Sequence, residues 1–157
     1  MITIGIDPGL TGAVGVLQDG RFVGVEDIPT ILKGTGSVKQ EVDAAGLIRL
    51  LKDRCSDLDV EVALERVNAM PGQGVSSVFS LGDSFGCIRA CVTAVRLPLN
   101  YVAPVTWKKH FKLTSDKEMS RALAVRLFPE APINLKKHSD RAEALLMARW
   151  LYETKFA

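Results

Sequence analysis

Four carboxylates in this chain occupy places that ordinary surface acids do not. Asp7 closes the apolar run Ile2-Thr-Ile-Gly-Ile6, and Pro8-Gly9 turns the chain directly after it. Glu65 closes a second such run, Val60-Glu-Val-Ala-Leu64. Asp140 and Glu143 open a helical pattern through Leu145, Leu146, Ala148 and Trp150, and their spacing puts both on one helical face. An acid at the end of a buried strand costs desolvation energy unless cations or hydrogen bonds compensate it. Should the four converge, their mutual repulsion implies bound cations. Ligands that are all oxygen favour Mg²⁺ or Mn²⁺ over zinc. Two such ions suit phosphodiester hydrolysis, one activating water and the other stabilising the leaving oxygen. Each acid also has a plainer reading. Asp7 fits a turn residue, and Asp-x-x-Glu at a helix start is a capping pattern whose acids complement the helix dipole. No Ser/His/Asp or Cys/His set competes, because the chain has two histidines and no nucleophile elbow.

The elements that must position these acids follow from pattern. After the first strand, Ala13–Leu17 and Phe22–Asp27 read as strands joined by Gln18-Asp19-Gly20-Arg21, a strong hairpin signal, so three antiparallel strands open the fold. Pro29 to Gln40, with Lys33, Gly34, Gly36 and Lys39, reads as a flexible connection. Glu41 to Arg54 carries Val42, Ala45, Ile48 and Leu51 at helical spacing. A helix before the strand 60–65 makes that strand a crossover parallel to the first, which brings Glu65 near Asp7. Arg66 to Gly74 is then a loop beside the acids. The helix 75–95 is apolar on more than one face through Val78, Phe79, Phe85, Ile88, Val92 and Val95, while Gly82 and Gly86 permit close approach of another backbone. It fits either a buried central helix or an interface. Asn100–Ala103 is a short strand stopped by Pro104. Ser115 is the expected cap of a helix running to Phe128, with Glu118 completing the capping pattern and Lys117 and Arg121 one turn apart.

A chain of 157 residues with 47% hydrophobic and 24% charged residues has the material for one folded domain, spanning 1–157, and is neither disordered nor fibrous. The first residues lack a basic head, no apolar run reaches bilayer length, and cytoplasmic residence is expected. Cys55, Cys87 and Cys91 are odd in number, lack metal-site spacing, and read as small apolar residues in a reducing compartment. Net charge is only +2, but residues 104–157 hold eleven Lys/Arg against six acids, whereas residues 1–103 hold nine against twelve. That basic third fits a polyanion; solvated helix lysines would give the same bias. Lys108, Lys109 and Lys112 interleave with Trp107, His110 and Phe111, which fits a nucleic-acid surface or a core-facing Trp with wet lysines. Lys136-Lys137-His138 adds positive charge before the last helix. His138 reads as a surface residue, since hard-metal sites favour oxygen.

In Gly5-Ile6-Asp7-Pro8-Gly9, Leu64-Glu65-Arg66-Val67 and Asp140-Arg141-Ala142-Glu143-Ala144-Leu145-Leu146, the chain resembles the RuvC-like Holliday junction resolvases of the ribonuclease H-like superfamily. It looks closest to the branch found in phages and prophages, and the order of strands and helices agrees along the whole chain. The resemblance implies an α/β fold with a ribonuclease H-like mixed five-stranded sheet, three antiparallel strands then two parallel, flanked by helices. It implies a homodimer that nicks opposed strands of a four-way junction, leaving 5′-phosphate and 3′-hydroxyl ends. Asp7, Glu65, Asp140 and Glu143 would hold Mg²⁺ or Mn²⁺, two ions per site, and Lys117 would contact the scissile phosphate. The helix 75–95 matches the family's dimer helix, with Val78, Gly82, Phe85 and Arg89 at the interface. DNA contacts are expected at Arg66, Asn68, Lys108, Lys109, Lys112, Arg121, Lys136 and Lys137. A phage-encoded chain would work in the bacterial host's cytoplasm.

Two departures matter. Glu143 stands where bacterial members usually show aspartate, which keeps the charge and lengthens the arm. Asn68, followed by Met70 and Pro71, stands where bacterial members often carry an aromatic wedge. A broader taste for forks, flaps and junctions follows. Competing readings are an RNA–DNA hybrid nuclease, a non-catalytic junction-binding protein, and half of an actin-like kinase or ATPase. The last needs a second related domain for which 157 residues leave no room. A pure binder gains nothing from clustered repulsive charge.

Overall fold

Alternation along β1 (Ile2–Asp7) separates two faces. Ile2, Ile4 and Ile6 enter one core, which leaves Thr3, Gly5 and Asp7 on the opposite face. The computed structural model describes residues 1–55 and 59–157. β2 (Ala13–Gln18) runs antiparallel to β1, and β3 (Arg21–Asp27) antiparallel to β2. The intervening Asp19 and Gly20 both have positive φ, 49° and 75°, as the tight hairpin turn demands. Next come β4 (Thr30–Leu32), β5 (Gln40–Val42), α1 (Ala44–Arg54) and β6 (Val60–Glu65). α2 (Val75–Ala94), β7 (Leu99–Val102), α3 (Pro104–His110) and α4 (Lys117–Leu127) follow. A 3₁₀ turn at Lys136–His138 leads into α5 (Ser139–Lys155). The five-stranded sheet has the order β3-β2-β1-β6-β7, with β6 parallel to β1 and β7 parallel to β6. This is the expected mixed sheet, three antiparallel strands and two parallel.

Each face carries its own core. Leu47, Leu51, Ile88, Cys91 and Val92 from α1 and α2 pack on Ile2, Ile4, Ile6, Val62 and Leu64. Trp107, Ala124, Phe128, Leu145 and Leu146 pack with Leu17, Ala63 and Val102 on the other side. There α5 rests directly on Gly5 and Gly15, which are register partners across β1 and β2. A Cβ on Gly15 would stand 2.7 Å from the Leu145 backbone nitrogen, and one on Gly5 would overlap the Ala144 carbonyl oxygen. Missing side chains at two adjacent strand positions therefore make the flat seat for α5. Its C-terminal Lys155 donates to Glu61 near the start of β6 at 2.9 Å, so its N-terminus lies at the strand ends that carry Asp7 and Glu65.

Three local expectations are corrected. The stretch from Pro29 to Gln40 is not simply a flexible connection, because Thr30–Leu32 and Gln40–Val42 pair as an antiparallel ribbon around its glycines. Val42 consequently belongs to a strand, and α1 begins at Ala44 because the Asp43 side chain accepts from the Gly46 N–H and caps it. The cap of α4 is Asp116 rather than Ser115: Asp116 accepts from the Glu118 N–H at 2.9 Å, while the Thr114 hydroxyl braces the Asp116 N–H. Along α2, Val78 and Phe85 are half-buried and Gly82 and Arg89 exposed, with Val75 and Phe79 the most exposed apolar residues. Among the described residues no helix is long and apolar enough to cross a membrane.

Candidate active site

Three of the four acids meet closely. Asp7 projects from the end of β1 toward the N-terminal part of α5, where Asp140 in the first turn and Glu143 one turn on share a face. One oxygen from each of Asp7, Asp140 and Glu143 lies within 4.8 Å of the other two. Glu65 ends the adjacent strand: Ile6 pairs with Leu64, so Asp7 and Glu65 leave the sheet side by side. Its Oε2 accepts a hydrogen bond from Trp107 Nε1 at 2.7 Å. Neither Asp140 nor Glu143 serves as a cap, for α5 follows its 3₁₀ turn with no side-chain capping hydrogen bond. That settles the choice between cap and cluster for this pair: both acids face the strand ends. Arg141, between them, forks onto Asp27 at the end of β3 at 2.6 and 2.8 Å, and so fixes the start of α5 against the sheet edge.

Two ammonium groups enter the cluster. Lys117 Nζ donates to Asp140 Oδ1 at 2.6 Å, and Lys108 Nζ stands 3.0 Å from Glu143 Oε1. Lys108 is thus the charge that compensates the buried Glu143 Oε1. Burial pushes the Asp7 carboxyl well above the usual range, and the charges of Glu65, Asp140 and Glu143 push it further, against Lys117. Burial also raises Glu65; the Trp107 hydrogen bond opposes this, while Glu143 adds to it. Lys117 loses some basicity to burial but ends above its ordinary value, chiefly through its hydrogen bond to Asp140.

The sign of the resulting pH dependence is fixed. Asp7 and Glu65 bind protons more tightly folded than unfolded, so without metal their contribution to stability falls as pH rises from about 4 through their raised values. Melting temperatures in EDTA should therefore show Asp7→Asn gaining on the parent protein as pH rises, with the gap closing toward pH 4. Added Mg²⁺ should lift the parent most at the alkaline end, where the proton no longer competes.

The remaining basic residues distribute unevenly. Lys109 and Lys112 are exposed and, with Pro104, Val105 and Leu113, line a groove of about 720 Å³ next to Lys108. Lys136 and Lys137 are exposed beside the start of α5. Arg66 is exposed with its guanidinium 5.1 Å from the Tyr101 ring centre, and Asn68 lies exposed in the loop after β6. Arg121 is engaged internally, donating to Glu118 and to the carbonyl oxygens of Ile133 and Asn134. Lys108, 16% exposed, lines the same groove while its ammonium reaches Glu143 in the acid cluster. The roles of Trp107, Lys108 and Arg141 in holding this site were missed from the sequence, because their partners lie far away along the chain. Lys108→Met should leave Glu143 uncompensated and cost the metal-free protein about 3 kcal/mol, the lower end for a broken pair that is not fully buried. Thermal melting in EDTA and in Mg²⁺ checks this, with Mg²⁺ expected to restore most of the loss.

The donor set suits a hard divalent cation. It is all carboxylate, it carries excess negative charge, and two ammonium groups offset only part of that charge. Comparison with solved structures then places the whole architecture. The entire chain superposes on 98% of T. thermophilus RuvC in complex with Holliday junction substrate, with a TM-score of 0.68 and 18% identity. The fold is that of RuvC. A second Thermus thermophilus RuvC structure matches 98% of this chain and 96% of its own, with a TM-score of 0.58 and 17% identity. No protein-family model matches the sequence, and no curated protein matches it. What the chain shares with RuvC at these identities is backbone architecture. The RuvC fold here carries its acids at the ends of β1 and β6 and the start of α5.

Proposed function

We propose that this chain is a metal-dependent, structure-selective DNA endonuclease that resolves Holliday junctions by paired nicks. The observation that carries the reading is the meeting of Asp7, Asp140 and Glu143 beside Glu65 on a RuvC fold, one solved example of which holds a Holliday junction substrate. Asp7, Glu65, Asp140 and Glu143 would hold the divalent ions, Mg²⁺ or Mn²⁺, two per site. Bound ions supply Lewis acidity toward the scissile phosphate and its attacking water. The chain's own residues do the positioning. Asp7 and Glu65 hang from adjacent rigid strands, and Asp140 and Glu143 from one helical turn. Lys117, more than half exposed and paired with Asp140, would hold a phosphate oxygen of the bound strand. Lys109, Lys112, Lys136 and Lys137 extend positive potential outward for the DNA backbone. Cleavage leaves 5′-phosphate and 3′-hydroxyl ends.

The active form is a homodimer of single-domain chains joined through α2, whose Val75 and Phe79 are 87% and 71% exposed in the monomer. The loop after β6 favours tolerance over strict selectivity. It presents Asn68 and a 62% exposed Met70 where an aromatic wedge would go, so forks and flaps fit beside four-way junctions. A panel of labelled four-way junction, fork, linear duplex and RNA–DNA hybrid, each with Mg²⁺ or EDTA, tests the reading. Metal-dependent cutting of the junction above the duplex is the expected result. Cutting of the hybrid alone would move the activity to ribonuclease H chemistry on the same fold.

A further inference from the structure

The three clustered acids come together through β1 and α5 alone; Glu65 reaches the site by a separate route. Its Oε2 is held by Trp107, one of the largest fully buried side chains in the protein, which belongs to the same core cluster as Ala63, Val102, Ala124, Leu145 and Leu146. An indole N–H only donates, and burial obliges it to find an acceptor. Here that acceptor is a carboxylate, at 2.7 Å, which makes the bond charge-assisted and strong. A glutamate side chain otherwise loses several torsional freedoms when it is fixed for an ion.

We infer that Trp107 is a positioning residue for metal capture: its indole N–H fixes Glu65 by Oε2 and leaves Oε1 to complete the cation site that Asp7, Asp140 and Glu143 begin. This rests on the reading of the four acids as a metal site. The ring cannot shift without disturbing the core under α5, so Glu65 is pre-set before the ion arrives and less of the binding energy goes into ordering it. α3 thereby acts on the cluster twice in succession, Trp107 on Glu65 and Lys108 on Glu143.

The test reads Mn²⁺ binding directly, by the spectroscopic signal of free Mn²⁺ in titrations without DNA. Trp107→Phe removes the donor, and 3-benzothienylalanine at position 107 removes it while keeping the bicyclic shape, so the second remains informative should the first fail to fold. Each is expected to weaken Mn²⁺ binding by about 10-fold or more, the usual effect of losing a partner that orients a ligand. In a Glu65→Gln background the same replacements should cause no further loss. Wild-type affinity in the benzothienyl variant, or an equal loss in both backgrounds, would overturn the inference. A parent protein that fails to bind Mn²⁺ would instead bring down the metal-site reading itself.

Discussion

Asp7→Asn is expected to abolish cutting, by about 10³-fold or more, while four-way junction binding measured in EDTA stays at the parent level. The argument is local. Asp7 is 9% exposed and faces Asp140 and Glu143 across less than 4.8 Å between ligand atoms, so its charge is the nearest support for any cation they bind. Asparagine keeps the shape and removes the charge, leaving the lysine-bearing surfaces untouched. The same substitution should raise the melting temperature of the metal-free protein at neutral pH. Burial and three neighbouring acids all oppose ionisation of Asp7, and removing the charge removes that penalty. Loss of activity together with a gain in stability distinguishes a functional acid from a structural one. Cutting assays and thermal melting on the one variant measure both.

Gly5→Ala should have the largest effect on folding. Its Cβ would collide with the backbone of α5 at Ala144 and Ala148, and backbone cannot rotate aside as a flexible side chain can. Either α5 lifts from the sheet or the strand bends, at a cost of about 3 kcal/mol or more. A fall in melting temperature of roughly 6–12 °C follows. The displacement would also carry Asp140 and Glu143 away from Asp7, since α5 holds the first two and β1 the third. Residual folded Gly5→Ala protein should therefore bind Mn²⁺ more weakly than the parent, which calorimetric titration below the melting temperature would detect. Gly15→Ala should behave similarly but more mildly, because its nearest approach is 2.7 Å.

Much of this arrangement was legible from residue order. Apolar β-branched runs ending in Asp7 and Glu65 announce buried strands with acids at their ends, and the Asp19-Gly20 pair fixes the hairpin that makes the sheet begin antiparallel. The spacing of Asp140 and Glu143 gives their common face, but not the choice between capping and clustering, which depends on what lies opposite that face. The β4–β5 ribbon escapes because three-residue strands around glycines carry no period. Gly5 and Gly15 escape because a glycine in a strand signals close approach without saying of what. Trp107 and Glu65 are 42 residues apart, and no periodicity relates a buried indole to the acid it holds. Lys108 reads as one more surface lysine until the fold turns it inward to Glu143. Local pattern thus shows the positions of the acids along the chain, while what neutralises and aims them is set by tertiary packing.

The most direct test of the central claim uses a synthetic four-way junction with each strand labelled in turn, incubated with Mg²⁺ or with EDTA. Paired nicks at symmetric positions on opposed strands are expected, with ends that a ligase can reseal, and they should vanish in EDTA and in Asp7→Asn. Tight junction binding without cutting in Mg²⁺ or Mn²⁺, or nicks that persist in Asp7→Asn, would contradict the assignment of these carboxylates to catalysis.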